Sequence, residues 1–241
     1  MLEIACFNAA SAIAAVRAGA DRIELCADYS AGGITPSLPT LLAIQDELDF
    51  TNIEESLTGE GTPRNKRVPI NVMIRPRGGD FNYSAVEFET MKRYLQSLKT
   101  SSVVDGFVFG ILAANKRVDE ERNRQLVELA APLPCTFHRA IDEVDDLDAA
   151  VETIIECGFK SILTSGGKKS AREGANEVAR LQEKYGDRIH LILGGGIRSS
   201  NAVDLKSETG LGWVHSAAIT REGEMVDEEE VRSMVTLLKE A

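Results

Sequence analysis

Residues able to do chemistry recur at one kind of place in this 241-residue chain, at or just beyond the end of a short apolar run. LEIAC closes on Cys6, and RIELC carries Glu24 and Cys26. PINVMI runs into Arg75 and Arg77, and PCTFH closes on His138, followed by Arg139 and Asp142. GWVHS closes on His215 and Ser216. Glu24, His138, Asp142 and His215 are candidate general acids and bases. Arg75, Arg77, Arg139 and Arg198 are suited to oxyanions through charge-assisted hydrogen bonds. Two glycine runs, Ser165-Gly166-Gly167 and Gly194-Gly195-Gly196, point to the same ligand class, with Ser216 beside them. Glycine lets backbone N–H groups approach an anion, and a following helix adds its dipole. Cys6 and Cys26 are soft donors of the kind Cu(I) prefers.

A structural reading stands beside each of these. Glu24 shares a strand face with Arg22 and Cys26. A buried carboxylate needs a partner, and Arg75, one strand over, is the expected one. Glycine runs also serve simply to make tight βα turns. Cys135, Cys157 and His190 fall at the far ends of their elements and read as structural.

The elements that must position these residues alternate regularly. Strand patterns cover 2–6, 22–26, 69–74, 104–110, 134–138, 160–165, 190–194 and 212–216. Helical patterns cover 9–18, 37–48, 84–98, 119–130, 146–156, 170–185, 199–206 and 227–239, several opening on a Ser or Asp N-cap. Strand–helix alternation implies right-handed βαβ units and a parallel sheet. Eight units predict an α/β protein, a single (β/α)₈ TIM barrel over 1–241, with its chemistry at the C-terminal ends of the strands. A polar, Gly/Pro-punctuated insertion at 50–67 follows helix 2, on the bottom face and away from that mouth.

The bulk numbers narrow the partners. A net charge of −11 argues against nucleic acid and anionic membrane surfaces, though not against a small anion in a cleft. No apolar run is long enough to span a bilayer, and the first residues lack a secretory pattern. A cytoplasmic location follows, with the nucleus open to diffusion. Four cysteines without a CxxC spacing are expected as thiols.

The stretches GADRIELCADYSAGGITPS (19–37), MIRPRGGDFNYS (73–84), TFHRAID (136–142), ILTSGG (162–167), LGGGIR (193–198) and VHSAA (214–218) resemble the CutC copper-homeostasis family over nearly the whole chain. The resemblance implies a barrel fold, a cytosolic setting, a homo-oligomer (dimer or tetramer) and an association with copper tolerance. It also implies that Cys6 and Cys26 match cysteines proposed as copper ligands in animal members.

Two functions then stand side by side. One is a copper homeostasis protein holding Cu(I) between Cys6 and Cys26 at the barrel mouth. The other is an isomerase, lyase or hydrolase acting without metal or organic cofactor on a small phosphorylated or carboxylated substrate. No lysine ends a strand, which disfavours a Schiff base. No tight cluster of several carboxylates appears, which disfavours Mg²⁺. A scaffold with a vestigial pocket is the third reading. The residues alone fit an enzyme and a binding protein alike.

Overall fold

Eight parallel strands hydrogen-bond in chain order and close on themselves, β8 returning to β1, in a computed structural model. Residues 1–58, 67–101 and 103–241 are described, the side chains of 49–58 excepted. The strands are β1 (Leu2–Cys6), β2 (Arg22–Leu25), β3 (Ile70–Met73), β4 (Gly106–Phe109), β5 (Cys135–Phe137), β6 (Ser161–Thr164), β7 (His190–Leu193) and β8 (Trp213–Ser216). The helices between them are α1 (Ala9–Ala18), α2 (Leu38–Thr58), α3 (Ala85–Lys99), α4 (Glu120–Ala130), α5 (Leu147–Glu156), α6 (Ala171–Tyr185), α7 (Ala202–Thr209) and α8 (Glu228–Glu240).

Period-two alternation decides which residues reach the chemistry. Leu2, Ile4 and Cys6 of β1 face the helices, as do Ile23 and Leu25 of β2 and Ile70 and Val72 of β3. Burying each of these large aliphatic side chains contributes ~1.5–3 kcal/mol. The opposite phase points into the barrel. There a small apolar cluster of Ala5, Phe7, Cys26, Met73, Val108 and Ile219 lies toward the mouth.

Capping fixes where each helix begins. Ser84 and Glu87 form a reciprocal capping box, and Asp119, Asp146, Ser170 and Asp227 accept from backbone N–H groups of their first turns. The largest departures from the sequence reading are in α2 and α7. Helix α2 does not stop at residue 48 but continues to Thr58. The strong helix breakers, Gly59, Gly61 and Pro63, come only after Thr58. The first half of the expected insertion is thus helical, and 59–66 lies outside the described residues. Helix α7 begins at Ala202, because Ser199 is held instead by Glu230, through its N–H and its hydroxyl.

Candidate active site at the barrel mouth

A cavity of about 300 Å³ opens where the strands end, with Glu24, His138, His215, Arg75, Arg139 and Arg198 on its wall. Cys26, His138 and Gly194 each sit one residue past the end of their strand. The carriers of chemistry are thus the last residues of the strands, such as Glu24 and His215, and the first residues of the βα loops that the ladder holds.

His138 caps the 3₁₀ turn Arg139–Glu143 by accepting the Ala140 N–H at Nδ1, 3.3 Å away. With Nδ1 an acceptor, the ring proton resides on Nε2. That atom is buried and has no hydrogen-bond partner among the described residues. Burial, with the Arg75 charge second, pushes the His138 pKa down to about 3. The imidazole is thus a neutral hydrogen-bond donor at physiological pH. Its place is made by Gly110, where a Cβ would lie 2.8 Å from Nδ1, and Phe81 packs 4.7 Å from it, centroid to centroid.

The opposite wall is a chain of charge across β8, β1 and β2. Glu3 is register partner to both His215 and Arg22. One Glu3 oxygen lies 2.7 Å from His215 Nδ1, and the other accepts from Arg22 Nε. Burial would raise the Glu3 pKa, but the His215 hydrogen bond and the Arg22 charge outweigh it and hold it low. Burial would lower His215, but the Glu24 charge and the Glu3 hydrogen bond hold it above the ordinary histidine value. Glu24 itself is pushed up, by burial first, against the pull of His215. One Glu24 oxygen accepts from the Cys26 thiol at 3.4 Å, while the other, Oε2, has no partner among the described residues.

The expected Glu24–Arg75 pair does not form. The Arg75 guanidinium is intercepted by the carbonyls of Ala31, Gly32 and Gly33 and by that of Gly79 at 2.7 Å, so it laces two loops together. Glu3 was not singled out from the sequence. Its signal was an acid two residues before Ala5 in a strand with no other polar member, which places it inside the barrel.

The remaining candidates divide into wall and bracing. Arg77 lies outside the cavity, its donors spent on Glu87, Asp80 and the carbonyls of Gly78 and Asn82. Asp142 accepts from Thr164 Oγ1 at 2.6 Å, Ser165 Oγ at 2.9 Å, the Ser165 and Gly167 N–H groups, and Arg139 Nε. The Gly166 N–H is taken by Thr164 Oγ1. The Ser165-Gly166-Gly167 turn therefore cradles an anion that the chain itself supplies, leaving no free amide for a ligand. Gly194 also spends its N–H, on the Thr164 carbonyl. The next two residues differ. Gly195 and Gly196, at φ 104° and 79°, have N–H groups that donate to nothing among the described residues. A Cβ on Gly196 would meet open space. Arg198 stands beside them, donating to Ser216 Oγ at 3.3 Å and to the Ile197 and Ile219 carbonyls. Ser216 donates to the Ile197 carbonyl and accepts the Ala218 N–H, stitching the β8 loop to the β7 loop.

The two cysteines are not brought onto one face. Cys6 is register partner to Leu25 and packs with it between sheet and helices, whereas Cys26 lines the mouth. Burial first, then the Glu24 charge, pushes both thiols well up, away from the thiolate form that binds metal. As arranged, the pair does not fit a two-thiolate Cu(I) clamp. Glu3, Glu24 and His215 bring three donor atoms within 4.8 Å of one another, the one such group found among the described residues. Arg22 pairs with Glu3, and His215, of raised proton affinity, hydrogen-bonds it, so the cluster stands as a hydrogen-bonded charge network.

Among the described residues no helix is long and apolar enough to cross a membrane. Solved barrels of low identity share the architecture, such as a thiamine phosphate pyrophosphorylase from Pyrococcus furiosus (14% identity, TM-score 0.62, 99% of this chain and 95% of that one). The CutC crystal structure from Streptococcus agalactiae matches at TM-score 0.74 and 28% identity, over 90% of this chain and 98% of that one. A CutC family protein from Mesorhizobium japonicum is 40% identical over 91% of this chain and 78% of its own length. A human copper homeostasis protein cutC homolog is 39% identical over 93% of this chain and 76% of its own. Residues 1–220 match the CutC family, and the chain belongs to it.

Proposed function

We propose that the mouth cavity binds a small phosphate- or carboxylate-bearing carbonyl compound and moves a proton on it. One juxtaposition carries this reading. A buried carboxyl with an unpartnered oxygen and a neutral imidazole with an unpartnered N–H line the same cavity. A neutral imidazole polarises a carbonyl oxygen without first giving up its proton, while a carboxylate of raised pKa is a competent base at the adjacent carbon. Glu24 is the base and His138 the donor to the oxygen that gathers charge. Burial sets the proton affinity of Glu24, and the His215 and Glu3 charges beside it tune it. The Gly195 and Gly196 amides, with Arg198 and Arg139, hold the anionic end.

The test is a thermal-shift screen of small sugar phosphates and keto acids. Ligands that bind only the folded state raise the melting temperature. We expect Arg198→Gln to lose the shift and Glu24→Gln to keep it. A shift unaltered by Arg198→Gln contradicts the assignment.

The relatives' names support a second reading, copper homeostasis, with the Cys26 thiol the donor nearest the cavity. Competition of each variant against a Cu(I) chelator separates the possibilities. Equal loss in Cys6→Ser and Cys26→Ser supports a thiol pair; loss in Cys26→Ser alone supports a donor at the mouth.

A further inference from the structure

The opposite end of the barrel holds a second cavity, of about 690 Å³, that the mouth chemistry does not use. Its polar groups come from the N-terminal halves of the strands. Arg22 opens β2, Trp213 opens β8, and Asn71, Thr136 and Ser161 sit on β3, β5 and β6. The Arg22 guanidinium carbon lies over the Trp213 ring, 4.0 Å from its centroid. Only its Nε is committed, to Glu3; Nη2 is buried and has no partner among the described residues. The side chains of Asn71, Thr136 and Ser161 likewise hydrogen-bond to nothing among the described residues. Room for the Asn71 amide is kept by Gly106, where a Cβ would lie 2.5 Å from Oδ1 and 3.0 Å from the Pro134 carbonyl.

Charge at this end runs against that of the whole chain. Of the two carboxylates on the rim, Asp105 is paired with Arg67 and accepts the Ile70 N–H, and Asp21 accepts the Leu2 N–H. Lys239, also on the rim, has no ion pair among the described residues. Two cations with free donors thus face a polar floor, in a protein of net charge −11. A guanidinium held over an aromatic ring, with free N–H groups, fits an oxyanion.

We infer that this lower cavity is a second ligand site, for a small oxyanion — a carboxylate or a phosphate — held by Arg22 and Lys239 and hydrogen-bonded by Asn71, Thr136 and Ser161. The site is separate from the mouth and does not depend on the reading given to Glu24 and His138. Trp213, the single tryptophan of the chain, is its built-in reporter.

The experiment is a tryptophan-fluorescence titration of the intact protein with inorganic phosphate and with succinate, against sodium chloride at matched ionic strength. We expect a saturable change with at least one of the two oxyanions and none with chloride. Arg22→Gln weakens it by about tenfold or more, since a charge-assisted pair is lost. Lys239→Gln, a surface change that leaves folding intact, weakens it severalfold, and Arg198→Gln at the mouth leaves it unchanged. The stronger oxyanion identifies the ligand class. No saturable change, an equal change with chloride, or a response indifferent to Lys239→Gln and Arg22→Gln would overturn the inference.

Discussion

At the scale of single residues, Glu24 and His138 have titrations moved in ways that stability measurements can read. Glu24 is a buried acid of raised pKa, so folding takes up a proton that the unfolded chain releases between the unfolded and folded values. Its contribution is present below the unfolded value and is lost as pH rises through the folded one. We expect Glu24→Gln to melt at or above the wild-type temperature at pH 8 and to converge with it near pH 4. A variant markedly less stable at pH 8 would show that the carboxylate is needed for folding. His138 has the opposite sign. Its pKa falls to about 3 in the fold, so the unfolded chain binds the extra proton and stability drops as pH falls below the ordinary histidine value. That window has a slope of up to ~1.4 kcal/mol per pH unit for one proton. His138→Gln flattens it in denaturant titrations run between pH 6.5 and 4; an unchanged slope would mean the imidazole is not buried neutral.

At the scale of elements, the loops after β5 and β6 are one unit tied by Asp142. Asp142→Asn keeps the shape but removes the charge that holds two N–H groups, two hydroxyls and a guanidinium. We expect a loss of roughly 2–4 kcal/mol by urea unfolding, since partners of a buried charge are left unsatisfied. A loss below about 0.5 kcal/mol, the size of an ordinary surface change, would contradict this role. The loop after β7 should behave differently. Gly196→Ala meets no neighbour but must hold φ 79°, so it should cost about 1–2 kcal/mol and weaken anion binding through the displaced amide.

The barrel was legible because eight apolar runs alternate with capped helices, and the mouth because His138, Ser165 and His215 close such runs. Which anion-directed groups are free was not legible. Arg77 and Asp142 have the right types at the right ends, but each is consumed by partners that only the folded loops supply. Strand phase was legible in principle: one residue of register puts Cys6 behind the sheet and Cys26 in front of it. The same phase, applied to LEIAC, would have exposed Glu3.

At the scale of the whole molecule, the lower cavity and the mouth are joined through the interior by Arg22, Glu3 and His215, with a Glu24 oxygen within 4.8 Å of the Glu3 and His215 donors. Most barrel interiors are filled by branched aliphatic layers. Here a layer of charge replaces part of that packing between β8, β1 and β2, and it brings proton affinity to the mouth. Proton transfer by Glu24 within the anion-binding cavity is read out by proton NMR of the panel of sugar phosphates and keto acids in D₂O with catalytic amounts of protein. We expect at least one compound that raises the melting temperature to lose the signal of the hydrogen next to its carbonyl, and to keep that signal with Glu24→Gln, which still binds it. Exchange that persists in Glu24→Gln, or its absence for every compound that binds, would contradict the assignment.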